Sequence, residues 1–103
     1  MKAVIDGLRY DTDNATEVAN ASGGESDRDF RHYYEALCVT SSGNWFLAGS
    51  GGPMSHYAEV DGNQTSGGSC VSAFTEDEAL EWLANHDEVD AVDKYFSDKV
   101  KDA

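Results

Sequence analysis

The chain has 103 residues with 20 Asp and Glu against 7 Lys and Arg, a net charge of −13. One small domain of this size (1–103) buries roughly 65% of its unfolded surface, enough for one modest core. The acidic excess opposes direct binding to nucleic acid or to anionic membranes, and favours the basic grooves of proteins that handle nucleic acid. Leu, Ile, Val and Phe number only 18, but four Phe, two Trp and five Tyr in a patterned sequence indicate a folded chain.

Met1-Lys2-Ala3-Val4-Ile5-Asp6 lacks the apolar run of a signal peptide, and no stretch reaches the length of a membrane span. A cytoplasmic chain is expected, with Cys38 and Cys70 reduced and too few for structural zinc.

Residues 2–10 predict a hairpin about Asp6-Gly7, a type I′ signal. Asp11-Thr12-Asp13-Asn14, rich in capping residues ahead of Ala15, Val18 and Ala19, predicts a short helix near 13–20. A polar Gly/Ser loop is expected over 21–29. Residues 31–40 and 44–49 read as a strand pair turned by Ser41-Ser42-Gly43, so that 31–49 is a second hairpin; this pair is the most hydrophobic part of the chain and the expected core. The five glycines and single Pro of 50–68 predict a long loop, and 70–74 a further strand.

Thr75-Glu76-Asp77-Glu78 is a capping box opening a helix over 76–85, with Ala79, Leu80, Trp82 and Leu83 inward. Asp87 is placed to cap a last helix over 88–100, where Val89, Val92, Phe96 and Val100 form an apolar stripe. The expected fold is α+β: a small antiparallel sheet of about four or five strands (hairpins 2–10 and 31–49, strand 70–74) with helices near 13–20, 76–85 and 88–100.

Residues 76–102 hold ten acids and three lysines. Like charges recur at helical spacing: Asp77/Glu81, Glu78/Glu81, Asp87/Asp90 and Asp90/Asp93. Together they cost about 1–2 kcal/mol in isolated helices, partly offset by the helix dipole. Three readings remain open: a solubilising surface, adaptation to high salt, and a decoy for a cationic nucleic-acid channel. In the last, Asp77, Glu78, Glu81, Asp87, Glu88, Asp90 and Asp93 form the partner-binding face, because acids three or four apart on a helix match phosphate spacing.

Little catalytic chemistry is visible. His32, His56 and His86 fall in separate elements without metal-ligand spacing, so neither a metal nor a cofactor is expected. Ser50, Ser55, Cys38 and Cys70 have no base placed beside them by the sequence. Gly49-Ser50-Gly51-Gly52 lacks the Lys-Ser/Thr of a phosphate loop. Trp45, Phe46, Trp82 and Phe96 read as core.

The order of motifs resembles a family of small proteins carried by bacterial phages and other mobile elements. The matching pieces are Ile5-Asp6-Gly7-Leu8-Arg9-Tyr10-Asp11-Thr12, Tyr34-Glu35-Ala36-Leu37 and Gly43-Asn44-Trp45-Phe46-Leu47-Ala48-Gly49-Ser50-Gly51-Gly52. Tyr57-Ala58, Gly62-Asn63, Gly67-Gly68 and Glu78-Ala79-Leu80-Glu81-Trp82-Leu83 follow in order. The resemblance implies a non-enzymatic inhibitor of host defence, an anti-CRISPR protein above all, with a CRISPR effector subunit as the basic partner. It carries over no catalytic residues. This chain is more acidic than such relatives, which suits a salt-adapted host as well as a decoy. The alternative, from a different class, is a small structural or regulatory interaction module whose charge serves only solubility.

Overall fold

A computed structural model describes residues 1–24, 31–52, 55, 57, 59–61 and 64–103, with backbone alone for 59–61 and 64–66. The chain runs β1 (Lys2–Ile5), β2 (Leu8–Asp11), β3 (Thr16–Gly23), β4 (Tyr33–Val39), β5 (Trp45–Gly51), β6 (Glu59–Asp61), β7 (Gln64–Ser66), β8 (Gly68–Phe74), α1 (Glu76–Asn85) and α2 (Val89–Phe96). The α+β class is as expected. The central sheet is antiparallel with strand order β3-β4-β5-β8, while β1-β2 and β6-β7 are separate two-stranded ribbons.

Register assigns the faces. Leu37 opposes both Ala19 and Leu47, and Trp45 opposes Val39 and Phe74. These side chains form one core with Ala79, Trp82 and Leu83 of α1 and Val92 and Phe96 of α2. Trp45 meets Phe96 at 5.1 Å and the edge of Tyr95 at 5.3 Å. Alternate residues point the opposite way, where Ala36, Cys38, Phe46 and Ala48 pack with Tyr10 of the β1-β2 ribbon. The sheet therefore lies between helices and ribbon, which explains why β4 and β5 are apolar on both faces. Phe46, Leu37 and Leu83 are fully buried, each worth roughly 1.5–3 kcal/mol relative to exposure.

The first hairpin turns as predicted: Asp6 and Gly7 both have positive φ, 51° and 80°, as a type I′ turn demands. It does not extend the central sheet, however, but covers its face. The fourth strand is β3, where a helix was expected near 13–20. Asp11 does cap a turn, its Oδ1 accepting from the Asp13 amide at 3.0 Å, but only a single 3-10 turn over Thr12–Asn14 follows. β-branched Thr16 and Val18 favour extended backbone, and pairing along β4 satisfies it with a bulge between Glu17 and Ala19. Tertiary pairing thus overrides a local capping signal.

The predicted loop over 21–29 begins later, because residues 21–23 complete β3; 25–29 lie outside the described residues. The predicted loop over 50–68 contains the ribbon β6-β7, while β5 and β8 extend to Gly51 and from Gly68.

At the C-terminal end α1 matches its predicted bounds. Its capping box is complete: the Glu78 amide donates to Thr75 Oγ1 at 3.1 Å and the Thr75 amide to Glu78 Oε1 at 2.9 Å. Asp87 does not cap the next helix. With φ of 55° it closes α1 instead, its amide donating to Ala84 O while the Glu88 amide donates to Leu83 O. That is a Schellman closure with Asp in the left-handed position usually held by Gly. Glu88 stands at the N-cap of α2 without a side-chain cap bond. The helix predicted over 88–100 ends at Phe96 and continues as a 3-10 turn over Ser97–Lys99. Only Val92 and Phe96 of its apolar stripe are buried; Val89, at the start of α2, and Val100, beyond its end, are exposed.

Candidate functional site

Two features stand apart from ordinary packing: the acidic helical pair, and a polar cluster beneath one end of α1. The polar cluster begins with Glu35, the one buried charged residue among those described. It lies on the helix-facing side of β4, opposite Ala21 and Gly49. Trp82 Nε1–H donates to its Oε2 at 3.2 Å, and the Tyr57 hydroxyl is hydrogen-bonded to the same carboxylate. Gly49 makes room for this arrangement, since a Cβ there would overlap the Tyr57 phenol. Burial, then the Glu35 charge, raises the Tyr57 pKa far above the usual phenol value. His86 stacks on Trp82 with ring centroids 4.0 Å apart, and its Nδ1 lies 2.7 Å from the Trp82 carbonyl oxygen. A carbonyl only accepts, so Nδ1 carries the proton. This cluster fastens α1 to the sheet through the Trp82–Glu35 hydrogen bond. His32 lies next to β4, His86 follows α1, and His56 lies outside the described residues. Among the described residues no three His, Cys, Asp or Glu side chains converge as metal ligands would.

On the opposite face of the sheet the Cys38 thiol is buried, and burial followed by the Glu17 charge pushes its pKa up to about 11. Such a thiol is a poor nucleophile at neutral pH. Cys70 is exposed and lies near Ser72.

The seven acids predicted as a partner-binding face are distributed unequally. Asp77 is engaged with Lys99 at 3.5 Å, and Glu76 holds the same ammonium at 3.4 Å. The hydrogen bond to Glu76 is the main reason the Lys99 pKa is raised. Glu78 is committed to the capping box. Glu81, Asp87, Glu88, Asp90 and Asp93 have no side-chain hydrogen bond or ion pair among the described residues. Asp90 in the first turn of α2 is favoured by the helix dipole; Glu81 and Asp93 have no such compensation.

The structure brings Asp87, Glu88 and Asp93 together around a cleft of about 450 Å³ between α1 and α2. Its apolar lining includes Leu80, Val89, Val92 and Val100. Glu78, Glu81 and Asp90 lie outside this cleft, and Asp77 reaches it only indirectly through Lys99, the neighbour of Val100. The apolar stripe of Val89, Val92, Phe96 and Val100 does not by itself reveal the cleft, because it does not say which of its members are covered. The available signal was that each valine sits between charged neighbours, Val89 between Glu88 and Asp90 and Val100 between Lys99 and Lys101, which allow little burial.

Comparison with protein-family models, with curated proteins and with solved structures yields no match. Among the described residues no helix is long and apolar enough to cross a membrane.

Proposed function

We propose that this protein is a non-enzymatic inhibitor that docks its acidic helical pair on the basic nucleic-acid channel of another protein in the host cytoplasm. The observation that carries this reading is the set of five acids on and between α1 and α2 without a cationic partner among the described residues: Glu81, Asp87, Glu88, Asp90 and Asp93. Three like-charge pairs at helical spacing, Asp77/Glu81 and Glu78/Glu81 on α1 and Asp90/Asp93 on α2, oppose folding modestly, and a cationic channel relieves that repulsion while supplying long-range attraction. The phage-type sequence resemblance nominates a CRISPR effector subunit as the partner, making the chain an anti-CRISPR protein.

The test is a pull-down from cells carrying CRISPR effectors, at low salt and at about 0.5 M salt, where the screening length falls to a few ångström. Retention of a basic effector subunit at low salt only, lost when Glu81, Asp90 and Asp93 become Gln or Asn, is the expected result. Capture that is indifferent to salt and to those substitutions overturns it.

The exposed apolar cleft favours a second reading: an interaction module in which Leu80, Val89 and Val100 make the contact and the charge serves solubility. It predicts binding that survives high salt and fails when the valines become polar.

A further inference from the structure

We infer that the cleft between α1 and α2 receives a basic amphipathic helix, whose apolar face sits on Leu80, Val89, Val92 and Val100 while its flanking Lys or Arg residues meet Asp87, Glu88 and Asp93. This inference rests on the acidic-face reading and specifies the segment of partner that such a face holds.

Chemistry narrows the occupant. The cleft, about 450 Å³, has an apolar floor to which Leu80, Leu83 and Val92 belong. Val89 is 63% exposed and Val100 47% exposed, so the apolar surface is open to a partner. An apolar groove between two helices suits a helix bearing apolar anchors at i, i+3/i+4 and i+7. The rim determines the charge of that helix. Asp87, Glu88 and Asp93 have no ion pair or side-chain hydrogen bond among the described residues, and the nearby lysines do not serve them: Lys99 is held by Glu76 and Asp77, Lys94 lies over the Tyr95 ring at 5.4 Å, and exposed Lys101 beside Val100 forms no ion pair among the described residues. A neutral apolar ligand would desolvate these carboxylates without compensation. A second copy of this chain would set the same acids against one another across a two-fold axis, on a molecule that already carries −13. A cation-flanked apolar helix satisfies both floor and rim.

The probe is a fluorescein-labelled amphipathic peptide with Leu at i, i+4 and i+7 and Lys elsewhere, followed by anisotropy at low salt. Its controls are the same peptide with Leu replaced by Ser and the same peptide with Lys replaced by Glu. The expected result is that the Leu/Lys peptide binds about tenfold more tightly than the Ser/Lys peptide, and that the Leu/Glu peptide does not bind. Val89→Ser with Val100→Ser, both at exposed positions, should weaken it about tenfold. Asp87→Asn with Asp93→Asn should weaken it similarly and flatten its salt dependence; Asn is tolerated in the left-handed conformation of residue 87. Equal binding of both lysine peptides, unaffected by the valine substitutions, overturns the groove and leaves the acidic face standing. Failure of both lysine peptides to bind overturns the two readings together. Sedimentation showing a dimer that Val89→Ser dissolves also overturns the inference, by assigning the groove to a second copy.

Discussion

The indole of Trp82 and the carboxylate of Glu35 meet at 3.2 Å across 47 positions of sequence, joining α1 to β4 inside the protein. An isolated buried carboxylate is costly, and this one is compensated by the Trp82 N–H and the Tyr57 hydroxyl. The bond therefore does more than add contact area. It fixes where α1 sits along the sheet, and with it the position of Leu80 and of the acids carried on the same helix.

Trp82→Phe removes the donor while keeping an aromatic ring in place. Leaving the carboxylate short of one partner should lower stability by about 1.5–3 kcal/mol, the range for hydrogen bonds to charged groups. Glu35→Gln retains an oxygen acceptor for Trp82 and should cost less. Urea denaturation followed by tyrosine fluorescence checks both. A Trp82→Phe protein as stable as the parent would show that packing alone holds α1.

Gly49 is required by closeness, because a methyl group there would occupy the position of the Tyr57 phenol. Gly49→Ala should expel the phenol from Glu35 and return the Tyr57 pKa toward 10, its ordinary value. Absorbance titration of the phenolates between pH 9 and about 12 would show one tyrosine moving from the late-titrating to the ordinary group. A tyrosine titration identical to that of the parent would place Tyr57 away from Glu35.

The two thiols should separate cleanly by reactivity. Exposed Cys70 should react with a maleimide at neutral pH in the native protein, and buried Cys38 only after unfolding. The sign of the pH effect follows from the same burial. Cys38 is shifted up from 9.0 to about 11 when folded, so the unfolded chain loses this proton first. Its contribution to stability is complete below pH 9 and declines as pH rises from 9 toward 11. Urea melts at pH 8 and pH 10.5 should show this decline, and equal labelling of both cysteines in the native protein would contradict the burial of Cys38.

The parts of the fold legible in the sequence were those where local signals and tertiary structure agree. Asp6-Gly7 specifies its turn, and Thr75 with Glu78 specifies the start of α1, because each feature is complete within four residues. Residues 13–20 were misread because Asp11 truly caps a turn, while the reason the chain then extends lies in β4, about twenty residues further on. Glu35 could have been noticed as a lone charge in the apolar run Tyr33–Val39, yet nothing local names Trp82 as its partner. The cleft was hidden for a related reason. A stripe of Val89, Val92, Phe96 and Val100 looks continuous on a helical projection, but α2 runs only from Val89 to Phe96, so Val100 falls beyond its end while Val89 stands at its first position, both in solvent.

Glu81 separates the requirements of stability from those of binding. It stands four residues from Asp77 and three from Glu78, exposed and without an ion pair among the described residues. Lys99 already moderates Asp77, so the main repulsion comes from Glu78. Glu81→Gln should therefore raise stability at low salt by about 0.2–0.5 kcal/mol, the range for one like-charge helical pair. The gain should fade by about 0.5 M salt, where the screening length is shorter than the spacing of the two residues. If the acidic face serves a cationic partner, the same variant should bind that partner more weakly and associate more slowly. Thermal melts at two salt concentrations, paired with association rates, measure both effects on one protein. A variant that is more stable and binds as well as the parent would assign Glu81 to solubility alone, and would narrow the interface to the acids around α2.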